Sequence, residues 1–77
     1  MIIRKENLKW FRANEDLVFD ALWDSGFCWN IDNVNKTLNV SIMVDGNVDN
    51  VTNRFIGLMK DGHDANAIYA MLSYDGL

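Results

Sequence analysis

The chain has no proline, no glutamine, a single cysteine (Cys28) and a single histidine (His63) in 77 residues. Each absence removes a way of holding a small domain together or a class of chemistry. One cysteine excludes an intrachain disulfide. A structural zinc site takes about four Cys or His ligands, which this composition does not supply. No apolar run approaches the ~20 residues of a membrane span. Met1-Ile2-Ile3 is followed at once by Arg4, Lys5 and Glu6, so no apolar signal segment is read there and a cytoplasmic location is expected. Positive charge is also scarce. Seven Lys and Arg stand against eleven Asp and Glu, a net charge of −4. That balance argues against direct nucleic-acid binding by phosphate neutralisation, and it suits a basic protein partner.

What is present is apolar and aromatic: 49% hydrophobic residues, with three Trp, four Phe and four Met. One domain spanning residues 1–77 is expected. A core of this size supplies about 3–5 kcal/mol, so self-association is a natural supplement and a homodimer is one expectation. Ten asparagines stand out. Asn35-Lys36-Thr37, Asn39-Val40-Ser41 and Asn50-Val51-Thr52 fit the glycosylation sequon, but without a secretion signal they read as chance. An Asn-rich chain free of Gln and Pro also resembles the products of AT-rich mobile-element genomes, which is an association rather than a physical argument.

The sharpest structural signal is a β-hairpin over about residues 27–44. Phe27, Trp29 and Ile31 alternate with Cys28, Asn30 and Asp32, and Leu38, Val40, Ile42 and Val44 alternate with Asn39, Ser41 and Met43. The connector Asn33-Val34-Asn35-Lys36 has turn chemistry. Pairing Asp32 with Thr37 sets Ile31 against Leu38, Trp29 against Val40 and Phe27 against Ile42. A slip of one residue would oppose apolar to polar throughout, so the register is specified.

A first helix is expected from Asn14, with Leu17, Val18, Ala21 and Leu22 as its core stripe and Gly26 as its stop. A second should begin near Asp49 or Asn50, bury Val51, Phe55, Leu58 and Met59, and end at Gly62. Asp64 should cap a third that reaches about Ser73, with Ile68, Met71 and Leu72 inward. Leu8 to Arg12 reads either as a short helix or as a third strand supporting the hairpin. The fold expected is α+β: a small antiparallel sheet covered on one face by two or three helices.

Few motifs carry chemistry. Asp45-Gly46-Asn47-Val48-Asp49 opens like a calcium loop, but Asn50 and Ile56 occupy the places of its turn glycine and bidentate glutamate, so a strand-to-helix turn is the reading. Asp61-Gly62-His63-Asp64 sets an imidazole between two carboxylates without a nucleophile nearby. The rhythm of residues 55–72 is that of a helical hairpin, with no basic recognition helix. Cys28 has no basic neighbour in sequence to activate it. No phosphate-binding loop or metal motif is present, so no cofactor and no enzymatic activity are expected.

The unusual feature is Asp16, Asp20 and Asp24, three acids in one row of the first helix beside Phe19 and Trp23. Like charges four residues apart cost a few tenths of a kcal/mol per pair, and Asp24 lies in the last turn, where the helix dipole disfavours an anion. Local stability therefore does not account for the row. Either the basic segment Arg4, Lys5, Lys9 and Arg12 covers it, with Trp10 or Phe11 over the aromatics, or the face is open to a partner. Asp16, Phe19, Asp20, Trp23 and Asp24 are thus the candidate partner-binding residues. They point to a small acidic interaction protein, a phage-type inhibitor or regulator of a larger protein with a basic surface, in its sharpest form a nucleic-acid mimic. The alternative is a homo-oligomeric structural or ligand-sequestering protein.

Overall fold

The computed structural model describes residues 3–32, 34, 35 and 37–74, Tyr74 by its backbone alone. Two helices, α1 (Lys5–Ala13) and α2 (Glu15–Trp23), lead into three strands, β1 (Cys28–Asp32), β2 (Thr37–Val44) and β3 (Asn47–Asn50). Helices α3 (Thr52–Lys60) and α4 (Ala65–Tyr74) follow. The strands form one antiparallel sheet in the order β1-β2-β3. This is the expected α+β class, with a third strand from a place other than the N-terminus. Residues 5–13 are helical, and β3 fills the role.

The central hairpin has the register that its alternation demands. Trp29 pairs with Val40, Ile31 with Leu38 and Asp32 with Thr37. Leu38, Val40 and Ile42 are buried, as is Phe27 just before β1, while Asn30, Asn39 and Met43 face outward. Asp32 organises the connector. Its Oδ1 accepts the N–H groups of Val34 and Asn35 at 3.0 and 3.1 Å, and its Oδ2 accepts the Asn35 amide at 2.7 Å. Asn33 and Lys36 of that connector lie outside the described residues.

Residues 45–50 correct the expected strand-to-helix turn. Asp45 and Gly46 have φ of 52° and 80°, the paired positive values of a type I′ hairpin turn. Val44 pairs with Asn47 across it. The helix expected from Asp49 or Asn50 consequently starts at Thr52. The β3 sequence Asn-Val-Asp-Asn is poor in strand formers. It is held by backbone pairing at the sheet edge rather than by burial.

One core joins both layers. Val18 and Leu22 of α2, Phe55, Ile56 and Met59 of α3, and Ile68 and Leu72 of α4 pack with Leu38, Val40 and Ile42. Phe27 sits edge-on to Phe55 and Tyr69, with centroids 5.0 and 5.3 Å away. Ile56, outside the expected α3 stripe, is fully buried, whereas Met71 of α4 faces outward. Helix α1 is docked through polar groups as well. The buried Asn7 amide donates to the backbone carbonyl and Oδ1 of Asn53, each at 3.3 Å, and the Arg4 N–H donates to that Oδ1 at 2.9 Å. Helix α3 ends as expected at Gly62, whose φ is +97°. The N–H groups of Gly62 and His63 bond to the carbonyls of Met59 and Leu58, the double bond of a Schellman stop. Asp64 then caps α4, accepting the Ala67 N–H at 2.8 Å. No helix among the described residues is long and apolar enough to cross a membrane.

Candidate functional site

The orientation of α2 decides what its acids can do. Asn14 occupies the N-cap, but its side chain turns back and donates to the Trp10 carbonyl at 2.8 Å, closing α1 instead of capping α2. The two helices therefore meet at a single shared residue. Val18 and Leu22 are buried. Phe19 turns toward the sheet. Its ring lies 6.0 Å from Trp29 with the planes 22° apart, and 5.9 Å from Phe11 edge-on.

This corrects the expected stripe in two places. Phe19 is a half-buried packing residue rather than part of an open aromatic pair. Leu17, expected in the core, is 53% exposed. At 100° per residue the outward arc of α2 runs Trp23, Asp16, Asp20, Asp24, Leu17, spanning about 120°. The three carboxylates are exposed. Trp23, 78% exposed, bounds them on one side, and Leu17 bounds them on the other.

The N-terminal cations do not neutralise this row. Arg12 reaches the β1–β2 turn, where its Nη2 donates to the Asn35 carbonyl at 3.3 Å. Lys5 and Lys9 are exposed. Among the described residues the only ion pair is Arg54 with Asp49, at 2.8 Å. Of the covering arrangement read from the sequence, the aromatic half exists as Phe11 on Phe19, and the ionic half does not.

Packing brings a second set of groups to the same place. A cleft of about 560 Å³ separates α2 from the turn between α3 and α4. Leu17, Ala21, Met59 and Ala65 supply apolar surface, and Asp20, Asp24, His63 and Asp64 supply polar groups. His63 thus shares a cleft with Asp20 and Asp24 across the chain, while Asp61 lines a separate cavity of about 500 Å³ with Arg4, Asn7, Gly57 and Leu72. The arrangement suggested by the sequence, an imidazole between Asp61 and Asp64, is not formed around one cavity. No local signal could have joined residues 20 and 63, because their meeting depends on how α3 and α4 dock. Among the described residues no group of three or more His, Cys, Asp or Glu is placed to hold a metal. Cys28 is exposed on the open sheet face.

Searches against protein-family models, curated proteins and solved structures returned no match.

Proposed function

We propose that this chain is a non-enzymatic binding protein that associates stoichiometrically with a larger protein through the outward arc of α2, in the manner of a phage-type inhibitor or regulator. The supporting observation is that Asp16, Asp20 and Asp24 share one open arc with a 78%-exposed Trp23, and no cation of the described chain pairs with them. An exposed tryptophan amid carboxylates suits an interface in which the aromatic anchors and the charges steer. Successive carboxylates at i, i+4 lie about 6 Å apart along the axis. That repeat is of the order of phosphate spacing along a nucleic-acid strand, so a basic nucleic-acid-binding surface is the partner chemistry favoured.

The test is affinity capture of partners by the wild type, by a variant with Asp16, Asp20 and Asp24 all changed to Asn, and by Trp23→Ala. The reading expects the same basic partner to be lost, by tenfold or more, from both variants, and the wild-type complex to weaken as salt rises. Equal recovery by all three proteins would overturn it.

A further inference from the structure

The sheet has two edges, and they differ. The β3 edge has four residues and carries Asp49, paired with Arg54. Short length and charge are the usual protections of an edge against pairing with another chain. The β1 edge is five residues long and carries its one charge, Asp32, at its C-terminal end. Cys28 to Ile31 contain no charged residue and no proline. Among the described residues, no strand lies on its outer side.

The direction of its free backbone groups follows from β2. The Val40 N–H donates to Thr52 Oγ1 at 2.9 Å, and the Val40 carbonyl accepts the Val51 N–H at 2.8 Å. Val40 therefore points away from β1, and its partner Trp29 points away from β2. By strand alternation Cys28, Asn30 and Asp32 bond to β2, while the N–H and C=O groups of Trp29 and Ile31 are aimed out of the sheet. Ile31 is 38% exposed. Phe27 is already engaged, its N–H donating to Ser25 Oγ at 3.3 Å.

We infer that this edge pairs with β1 of a second copy, antiparallel and centred on Asn30, joining two three-stranded sheets into one. In that register Trp29 exchanges two backbone hydrogen bonds with Ile31 of the second copy, and Ile31 exchanges two with Trp29 of the second copy. Every outward group of the two residues is used, and Phe27 is left out. The two-fold also selects the occupant. It sets Trp29 beside Ile31 twice on the inner face. On the open face it sets Asn30 beside its own copy, an amide that both donates and accepts. The Asp32 residues fall at opposite ends, about 14 Å apart along the strands, beyond the ~8 Å screening length of physiological salt. An acidic chain thus meets itself with the charge of β1 held at the two ends of the pairing and none at its centre. None of the outward α2 residues takes part, so this pairing is independent of the partner surface proposed above.

The contact is small, and association is expected at high micromolar concentration. Amide exchange followed by NMR at about 20 μM and about 1 mM brackets that range. Exchange through the residual monomer limits the effect, so Trp29 and Ile31 should gain about two- to fourfold protection at the higher concentration, while Cys28 and Asn30, bonded to β2 throughout, should not change. Asn30→Cys in a Cys28→Ser background should form a disulfide-linked dimer under mild oxidation, because a directly opposed non-bonded pair has Cα atoms about 4.5 Å apart. The wild type, whose Cys28 lies opposite Asp32 of the second copy, should not. Ile31→Lys should remain monomeric with a native circular dichroism spectrum. A monomeric wild type at about 1 mM with unchanged exchange would overturn the inference. So would cross-linking through Cys28 or an introduced Met43→Cys, which would place the contact on the open sheet face, and so would protection of Trp29 and Ile31 only on adding a different protein. Should the Asn30→Cys variant not fold, the wild-type exchange experiment decides.

Discussion

Phe19 stacks on Trp29, with ring centroids 6.0 Å apart and planes inclined by 22°. Trp23, one turn further along α2, is 78% exposed. The two aromatics that flank the acid row in sequence thus have opposite roles, and truncating them separates stability from binding. Phe19→Ala removes contacts with Phe11 and Trp29 and should cost about 2–4 kcal/mol in chemical denaturation. Trp23→Ala should change stability by no more than about 0.5 kcal/mol while abolishing capture of the partner. Equal destabilisation by the two would mean that Trp23 is a packing residue.

Asp24 is the C-cap residue of α2 and lies four residues beyond Asp20. The dipole and the like-charged neighbour both oppose its charge. Asp24→Asn should therefore raise stability, by about 0.3–1 kcal/mol at low salt, and weaken partner binding. A gain in stability joined to a loss of binding is the mark of a residue kept for contact rather than for folding. Urea denaturation of both proteins, at low and at high salt, measures the first half.

Thr52 is fully buried at the start of α3. Its Oγ1 accepts the Val40 N–H at 2.9 Å and donates to Asn50 Oδ1 at 2.9 Å. It thereby continues the ladder of β2 where β3 ends. Thr52→Val preserves shape but leaves the Val40 N–H buried without an acceptor. The expected loss is about 1–3 kcal/mol, with amide exchange at Val40 accelerated.

The Asp32 carboxyl is held below its ordinary value by the Asn35 side-chain amide, and further by the Asn35 and Val34 N–H groups. A carboxylate lowered in the folded state contributes stability above its unfolded value and loses it as pH falls through its folded value. Asp32→Ala should lower the melting temperature at pH 7. That difference should shrink below about pH 4 and vanish at more acidic pH. A difference that persists unchanged in acid would assign the effect to backbone conformation instead.

Two glycines predict opposite outcomes. A Cβ at Gly57, inside α3, would meet nothing within 4 Å, so Gly57→Ala should stabilise by about 0.5–1 kcal/mol. A Cβ at Gly26 would lie 2.6 Å from the Tyr69 ring, which is itself packed against Phe27. Gly26→Ala should destabilise by about 1–3 kcal/mol. Thermal melts of the two variants check both signs.

The hairpin and its register, the stop at Gly62 and the cap at Asp64 were legible in the sequence, because each rests on residues close together along the chain. Alternation fixes which face of a strand is buried, and a left-handed glycine or a capping carboxylate acts within one turn. The sequence signal for β3 was also present, since Asp45-Gly46 is a strong hairpin dipeptide. It was masked by the polar composition of Asn47 to Asn50. Gly26 was read as a helix stop, whereas the close approach of Tyr69 is what its missing side chain permits.

That three carboxylates lie in one row of a helix, unfavoured by local energetics, follows from the order of residues alone. Helical periodicity and the sign of charge suffice for that. Which side of the helix is open is a matter of packing between elements distant in sequence. The rotation of α2 depends on whether Leu17 or Phe19 is taken into the core, and both satisfy the helical period. Contact of the Phe19 ring with Phe11, edge-on, and with Trp29, stacked, settles that choice in favour of Phe19. It leaves Leu17, the acids and Trp23 facing outward.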